Sequence, residues 1–250
     1  MRRVTVIDQE NGARTAPPPA PRRGRSCLAA VISLLGELLI TAGVVLGLFV
    51  AYSLWWTNVL ANREAERDGN EVRESWAQDG PDGGAGKKEY EGGDGVGFLH
   101  VPSMGGEVLI KKGTGTEELN KGVAGYYTEP VKAVPPWEGK GNFSLAAHRD
   151  GHGAKFHDIH KIREGDPIVV ETEDTWYVYK VFETLPKTSK YNVGVLADVP
   201  EESGKKKAGK YITLTTCTPV LTSDYRYIVW GELVRTEKVD EERTPPEELR

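Results

Sequence analysis

Cys217 is the residue around which chemistry can be built. It ends the apolar and threonine-rich run Tyr211-Ile212-Thr213-Leu214-Thr215-Thr216 and is followed by Thr218-Pro219, which stops a strand. A cysteine at a strand mouth is placed like a nucleophile, and it then needs a neighbour that lowers its pKa or takes its proton. Five histidines are available: His100, His148, His152, His157 and His160. His148 stands apart, because it ends the apolar stretch Phe143-Ser144-Leu145-Ala146-Ala147 and precedes polar Arg149-Asp150-Gly151, again the mouth of a strand. His152, His157 and His160 read as surface residues of a polar loop and a short helix. The spacing His148-x3-His152 suits two metal ligands on one helical face. However, Gly151 and Gly153 flank His152 and disfavour a helix, and no HExxH pattern occurs, so no metal is expected. A buried cysteine acting as a small hydrophobe, or one engaged in an intermolecular disulfide, is the plainer alternative for Cys217.

The elements that must position these residues are short and β-rich. From Val96 onward, candidate strands are Gly97–Val101, Glu107–Lys111, Phe143–Ala147, Pro167–Glu171, Thr175–Leu185, Lys210–Thr216 and Tyr225–Val234. Helical turns are expected at Thr116–Asn120, capped by Thr116, and at Phe156–Arg163. No long stretch carries a 3.6-residue apolar period, which argues against a helix bundle. Seven or eight strands over roughly 140 residues suggest a closed or nearly closed barrel.

Ahead of this domain the composition is strongly segregated. The chain has 250 residues and a net charge of −5, an acidity that argues against nucleic-acid binding. Yet its first 27 residues hold six Arg against Asp8 and Glu10, with the Pro-rich run 16–21, and read as a solvated basic tail. Leu38 to Trp56 is 19 residues without a charge, and about 20 apolar residues span a bilayer as a helix. Tyr52, Trp55 and Trp56 sit where an interfacial aromatic belt belongs, and the Arg-rich flank places the N-terminus in the cytoplasm. Val59-Leu60-Ala61 offers a cleavage pattern for a signal peptide, but the apolar stretch exceeds the usual h-region of about 7–15 residues, which favours an uncleaved anchor. A lipoprotein is disfavoured because Cys27 precedes the apolar run. The expected division is a basic cytoplasmic tail over 1–27, a transmembrane anchor over 28–58, a polar Gly-rich tether over 59–95, a β-domain over 96–236 and a charged tail over 237–250. Within the tether, Asn62 to Gln78 could continue the membrane helix. Cys27 and Cys217 then lie on opposite sides of a bilayer and cannot pair, leaving Cys217 as a free thiol in an oxidising compartment.

Three segments together resemble the sortase family. Ala147-His148-Arg149, followed by Gly153-Ala154-Lys155-Phe156, Ile159, Ile162 and Gly165-Asp166-Pro167-Ile168, is similar to the His-bearing signature of sortases. Thr213-Leu214-Thr215-Thr216-Cys217-Thr218-Pro219 resembles the TLxTC nucleophile motif, and Tyr225-Arg226-Tyr227-Ile228-Val229-Trp230 resembles the strand carrying the essential Arg. The motifs occur in the family's order and cover about residues 96–236. TLTTC with Gly125-Tyr126-Tyr127 is most similar to class E, although Ala147 stands where many members have Gly.

The resemblance implies an all-β fold, a closed eight-stranded sortase-type barrel with short helices behind one N-terminal transmembrane helix. It implies transpeptidation of secreted proteins bearing a C-terminal LPxTG-like signal, LAxTG for class E. Cys217 would attack the Thr carbonyl and expel Gly. His148 would protonate the leaving amine and then deprotonate an incoming amine on lipid II or peptidoglycan. Arg226 would donate to the substrate backbone or the developing oxyanion, a task suited to a guanidinium fork. Thr216 and Tyr127 are the expected substrate contacts. Strand alternation puts Arg226 on one face with Ile228 and Trp230, which suggests a partly buried cleft. No cofactor is implied: Gly113-x-Gly115 lacks the rest of a dinucleotide fingerprint, and there is no Walker A pattern. Two other readings compete. An L,D-transpeptidase would carry Ser-His-Gly before the cysteine, where this chain has Thr215-Thr216. A non-catalytic anchored β-module would have an inert thiol.

Overall fold

The computed structural model describes residues 27–79 and 96–250. The basic tail over 1–26 and the second half of the expected tether, 80–95, lie outside the described residues. Helix α1 (Cys27–Asp79) comes first. It is followed by β1 (Gly97–His100), β2 (Glu107–Lys112), the single turn α2 (Thr116–Leu119), β3 (Ala124–Tyr126), β4 (Gly141–Ala146), β5 (Pro167–Glu171), β6 (Thr175–Ser189), β7 (Lys210–Thr218) and β8 (Tyr225–Lys238). Three short 3-10 turns sit at His157–Lys161, Val193–Leu196 and Glu247–Leu249.

The eight strands close into a barrel in the order β1-β2-β3-β4-β7-β8-β6-β5. Most pairs are antiparallel, but β2 with β3 and β4 with β7 are parallel. Closure depends on β3, a three-residue strand that the sequence pattern did not reveal. Its Gly125 stands where a Cβ would come within 3.0 Å of the Gly113 backbone, so only glycine lets the two segments approach. Inside the barrel, Leu99, Ile110, Phe143, Leu145, Ile168, Tyr179, Ile212, Leu214 and Val229 form one buried core. Alternation then sends Ser144, Thr213, Thr215, Ile228 and Trp230 to the outer face. There the segment Val193–Ala197 covers them, tied down by Trp230 Nε1 donating to Val195 O at 3.0 Å and Asn142 Nδ2 donating to Ala197 O at 3.1 Å.

The chain divides into two units, Met1–Phe49 and Val50–Arg250. In the first, α1 leaves its Leu, Val and Ile side chains exposed, and α1 is long and apolar enough to cross a membrane. In the second, α1 differs from the tether expected from residue 59. Residues 59–79 are helical, and Ala61, Ala65, Gly69, Val72 and Trp76 are buried along one stripe. Their spacing of four, four, three and four residues is one helix face. It packs on Phe98, Leu109 and Val123 of the barrel wall, with Trp76 edge-on to Phe98 at 5.6 Å. The C-terminal residues also fold back, with Val239 and Leu249 packing on Val169, Trp176 and Val178. Helix α2 starts from Gly115, and Thr116 does not cap it.

Candidate active site

Cys217 is the penultimate residue of β7, and its Cα partner across the ladder is Arg226 of β8. Facing residues of an antiparallel pair project to the same side. The pairs Thr215 with Ile228 and Thr213 with Trp230 extend that side along the outer face of the barrel. His148 arrives from the other neighbour of β7. Ala146 of β4 pairs with Thr215, and Ala147 N–H donates to Thr215 O at 3.3 Å, so His148 comes level with Cys217. Because Leu145 and Ala147 point into the core, His148 falls on the outer face. Three adjacent strands thus bring Cys217, His148 and Arg226 to one face at one end of the barrel.

Ties to the backbone hold this arrangement. The Thr216 hydroxyl is buried and donates to Ala147 O at 2.7 Å, locking the two strands that carry Cys217 and His148. This differs from the substrate contact expected of Thr216, because β-alternation turns its side chain inward from the Cys217 face. Arg149, also buried, donates to Thr218 Oγ1 at 2.7 Å and to Cys217 O at 3.3 Å and lies over the Tyr227 ring. It fixes the backbone of the thiol-bearing residue. The His-Arg dipeptide was its one sequence signal. Tyr127 is half-buried, hydrogen-bonded to Thr215 and within electrostatic reach of Arg226 and Cys217. Burial raises its pKa above the usual value, so the phenol stays neutral.

The His148 ring makes its hydrogen bond to Asn120 Oδ1, at 2.9 Å from Nε2. An amide oxygen only accepts, so Nε2 carries the proton and Nδ1 is left as the basic position. Burial, and then the nearby His152 ring at 5.5 Å, hold the His148 pKa below 6.5 and favour the neutral imidazole. Asn120 has no sequence signal, since it lies 28 residues away just beyond a single helical turn. The loop behind His148 is not helical: Gly151, His152, Gly153 and Ala154 all have left-handed φ, between 43° and 83°. Two non-glycine residues in that region store strain, which is characteristic of functional loops. Arg226 donates through Nη1 to Ser223 O and Tyr225 O, and among the described residues Nε and Nη2 make no hydrogen bond. Among the described residues Cys217 Sγ makes no hydrogen bond, and both cysteines are free thiols.

A cavity of about 520 Å³ lies elsewhere, beside Arg73, Glu171 and Trp176 at the opposite end of the barrel. Ligand atoms of His100, Glu107 and Glu171 fall there within 4.8 Å of one another, but Arg73 bridges the two carboxylates, so an ion-pair node accounts for the grouping.

The arrangement is that of a thiol acyl-transfer site, and a sortase domain model matches residues 99–234. Sortase SrtE2 of Streptomyces coelicolor is 62% identical over 254 residues, covering all of both chains. The chain belongs to the sortase family. Sortases are cysteine transpeptidases, so this sortase is an enzyme. The crystal structure of Sortase E1 from Streptomyces coelicolor with a tripeptide in its active site matches with a TM-score of 0.59 at 46% identity, over 62% of this chain and 96% of that one. Sortase E from Streptomyces avermitilis matches with a TM-score of 0.55 at 37% identity, over 64% of this chain and all of that one. The structural neighbours of this sortase therefore include class E members.

Proposed function

We propose that this sortase is anchored by residues 28–58, with its N-terminus in the cytoplasm and its barrel outside, and that it joins secreted proteins to the cell wall. Cys217 attacks the Thr carbonyl of an LAxTG- or LPxTG-like signal, and the C–N bond to Gly breaks to leave a thioester. His148 gives a proton to the departing Gly amine and takes one from the incoming amine of lipid II or peptidoglycan. Arg226 donates to the substrate backbone and to the oxygen that gains charge in each tetrahedral intermediate. Tyr127 borders the groove and bears on the second signal position. Thr216 acts by holding β7 to β4.

The observation that carries this reading is the register: Cys217 opposite Arg226, with His148 brought level from the parallel neighbour strand. The test is incubation with an LAxTG peptide and a small amine, followed by mass analysis for an adduct on Cys217. Signal cleavage with amine transfer is expected. Absence of cleavage, or equal cleavage by the Cys217→Ala variant, would reject the reading. Parallel incubation with an LPxTG peptide ranks the two signals.

A further inference from the structure

We infer that the loop Pro219–Asp224 and Tyr191, at the catalytic end of the barrel, form a lipid-contacting surface that seats in a headgroup layer. This rests on the reading of residues 28–58 as a membrane anchor. From Asn58 to Trp76, α1 packs along the side of the barrel from one end to the other. Its residues nearest the apolar span touch the catalytic end. Asn58 Oδ1 accepts a hydrogen bond from Gly153 N–H at 2.8 Å, in the loop behind His148. The Ala61 carbonyl lies 2.9 Å from where a Cβ on Gly122 would stand, just ahead of β3. Its last turns reach the other end, where Arg73 pairs with Glu171 and Trp76 packs on Phe98.

The strand register identifies these ends. Gly125 of β3 pairs with Ala146, two residues before His148. Glu171 ends β5 and pairs with Trp176, while neighbouring Thr175 pairs with Lys238, the last residue of β8. Strand β8 began beside Arg226, so Glu171 lies at the far end from the cleft. Within this unit, the turns of α1 just before Asn58 expose Tyr52, Trp55 and Trp56 at the cleft end. At 1.5 Å per residue, Trp56 lies about 3 Å and Tyr52 about 9 Å before Asn58 along the axis. Such aromatic side chains settle at the headgroup level.

Loops at the same end present apolar groups that the barrel leaves uncovered. Leu221 is 82% exposed, Tyr191 is 79% exposed, and Val220 stands beside Leu221. Leu221 is presented on a left-handed backbone, and its N–H donates to the Asp150 carboxylate of the His148 loop. Lys187 and Lys190 lie over the rings of Tyr225 and Tyr191, pairing cations with amphipathic aromatics as a surface facing anionic headgroups would. A single exposed leucine needs no explanation. These groups, however, lie at the same end of the unit Val50–Arg250 as exposed Tyr52, Trp55 and Trp56, and a set of apolar tips, amphipathic aromatics and lysines matches the chemistry of a lipid headgroup layer. An acceptor amine carried on a lipid then reaches Cys217 without leaving the membrane.

The test places a fluorescent thiol label on the full-length chain in a Cys27→Ser, Cys217→Ala background, at Leu221→Cys, Tyr191→Cys or Glu241→Cys. Each protein is reconstituted in vesicles of phosphatidylcholine and phosphatidylglycerol containing a doxyl-lipid quencher. Labels at 221 and 191 are expected to be quenched by the lipid several-fold more strongly than the label at 241, which lies at the far end. Quenching of the 221 and 191 labels by aqueous iodide but not by lipid overturns the inference. Resistance to both quenchers also overturns it, since another protein surface would then cover the loops. Failure of the underlying reading shows separately: loss of the protein from vesicles in an alkaline carbonate wash rejects the anchor, and lack of peptide transfer by the unmodified chain rejects the activity.

Discussion

The two ends of the barrel are held in opposite ways. At the end where β5 turns into β6, Glu171 is buried and meets three basic groups: Arg73 at 3.0 Å, His100 at 2.9 Å and Arg243 at 2.8 Å. Burial alone would raise its pKa, but hydrogen bonds from His100, Arg73 and Arg243 reverse this and bring it to about 2. At the cleft end the polar ties go to neutral acceptors: Thr216 donates to the Ala147 carbonyl, Arg149 to the Cys217 carbonyl and the Thr218 hydroxyl, and the His148 ring to the Asn120 amide oxygen. Among the described residues Cys217 Sγ makes no hydrogen bond, and Arg226 donates through one nitrogen, Nη1. Charge is saturated where the fold must stay shut, and donors are left unengaged where a peptide must enter.

The sharpest challenge to this contrast is Cys217→Ala. Peptide transfer should fall by at least about 10⁴-fold, with the thermal midpoint shifting by no more than about 2 °C, as read by peptide mass analysis and differential scanning calorimetry. Glu171→Gln should do the reverse. Leaving Arg73 and Arg243 without a buried carboxylate costs about 3 kcal/mol, roughly 6–12 °C in midpoint for a unit of this size, while kcat at 25 °C is unchanged. A kcat that fell with the midpoint would show that the ends are not independent. The same residue sets an acid limit. Its folded pKa of about 2 lies below the ordinary 4.5, so its stabilisation is complete above 4.5 and is lost as pH falls from there through 2. Acid unfolding followed by tryptophan fluorescence should show this segment in the native chain and not in Glu171→Gln.

Asn120→Ala removes the ring partner of His148 and should lower kcat about tenfold with little change in KM. A raised KM with kcat unchanged would instead indicate a binding defect. Thr216→Val should destabilise by about 1 kcal/mol through the lost strand tie, measured by chemical denaturation, without changing the preference between LAxTG and LPxTG peptides. A changed preference would return Thr216 to the role of substrate contact. The smallest effect is expected from His152→Ala. Burial is the main reason the His148 pKa is lowered and His152 the second, so this change should raise it while leaving it below the ordinary value. The acid limb of the rate profile should move up with it, and NMR titration of the imidazole reads the shift directly.

Much of this was legible in the residues, for physical reasons. Strands such as Trp176–Val181 and Tyr225–Trp230 are aromatic and β-branched, and their alternation correctly assigned Arg226, Ile228 and Trp230 to one face. The motif order around His148, Cys217 and Arg226 led to the right family. Other features could not be read. Ala124-Gly125-Tyr126 is too short and glycine-bearing to register as a strand, yet it closes the barrel. The stripe Ala61, Ala65, Gly69, Val72 and Trp76 is mostly small residues inside a charged segment, so its packing face carries little hydrophobic signal. Asn120 and Thr216 have uses set by partners distant in the chain, which local pattern does not encode.

The stripe on α1 has a consequence for shedding. The peptide between Asp79 and Val96 is the covalent path from helix to barrel, and it contains Lys87-Lys88, the residue type after which trypsin-like proteases cut. Cutting there would not by itself release the barrel, because Trp76 on Phe98, Arg73 on Glu171, Lys111 on Asp68 and Gly153 on Asn58 still clasp the helix to the wall. A nicked chain would migrate as two pieces in denaturing gels and as one in native ones.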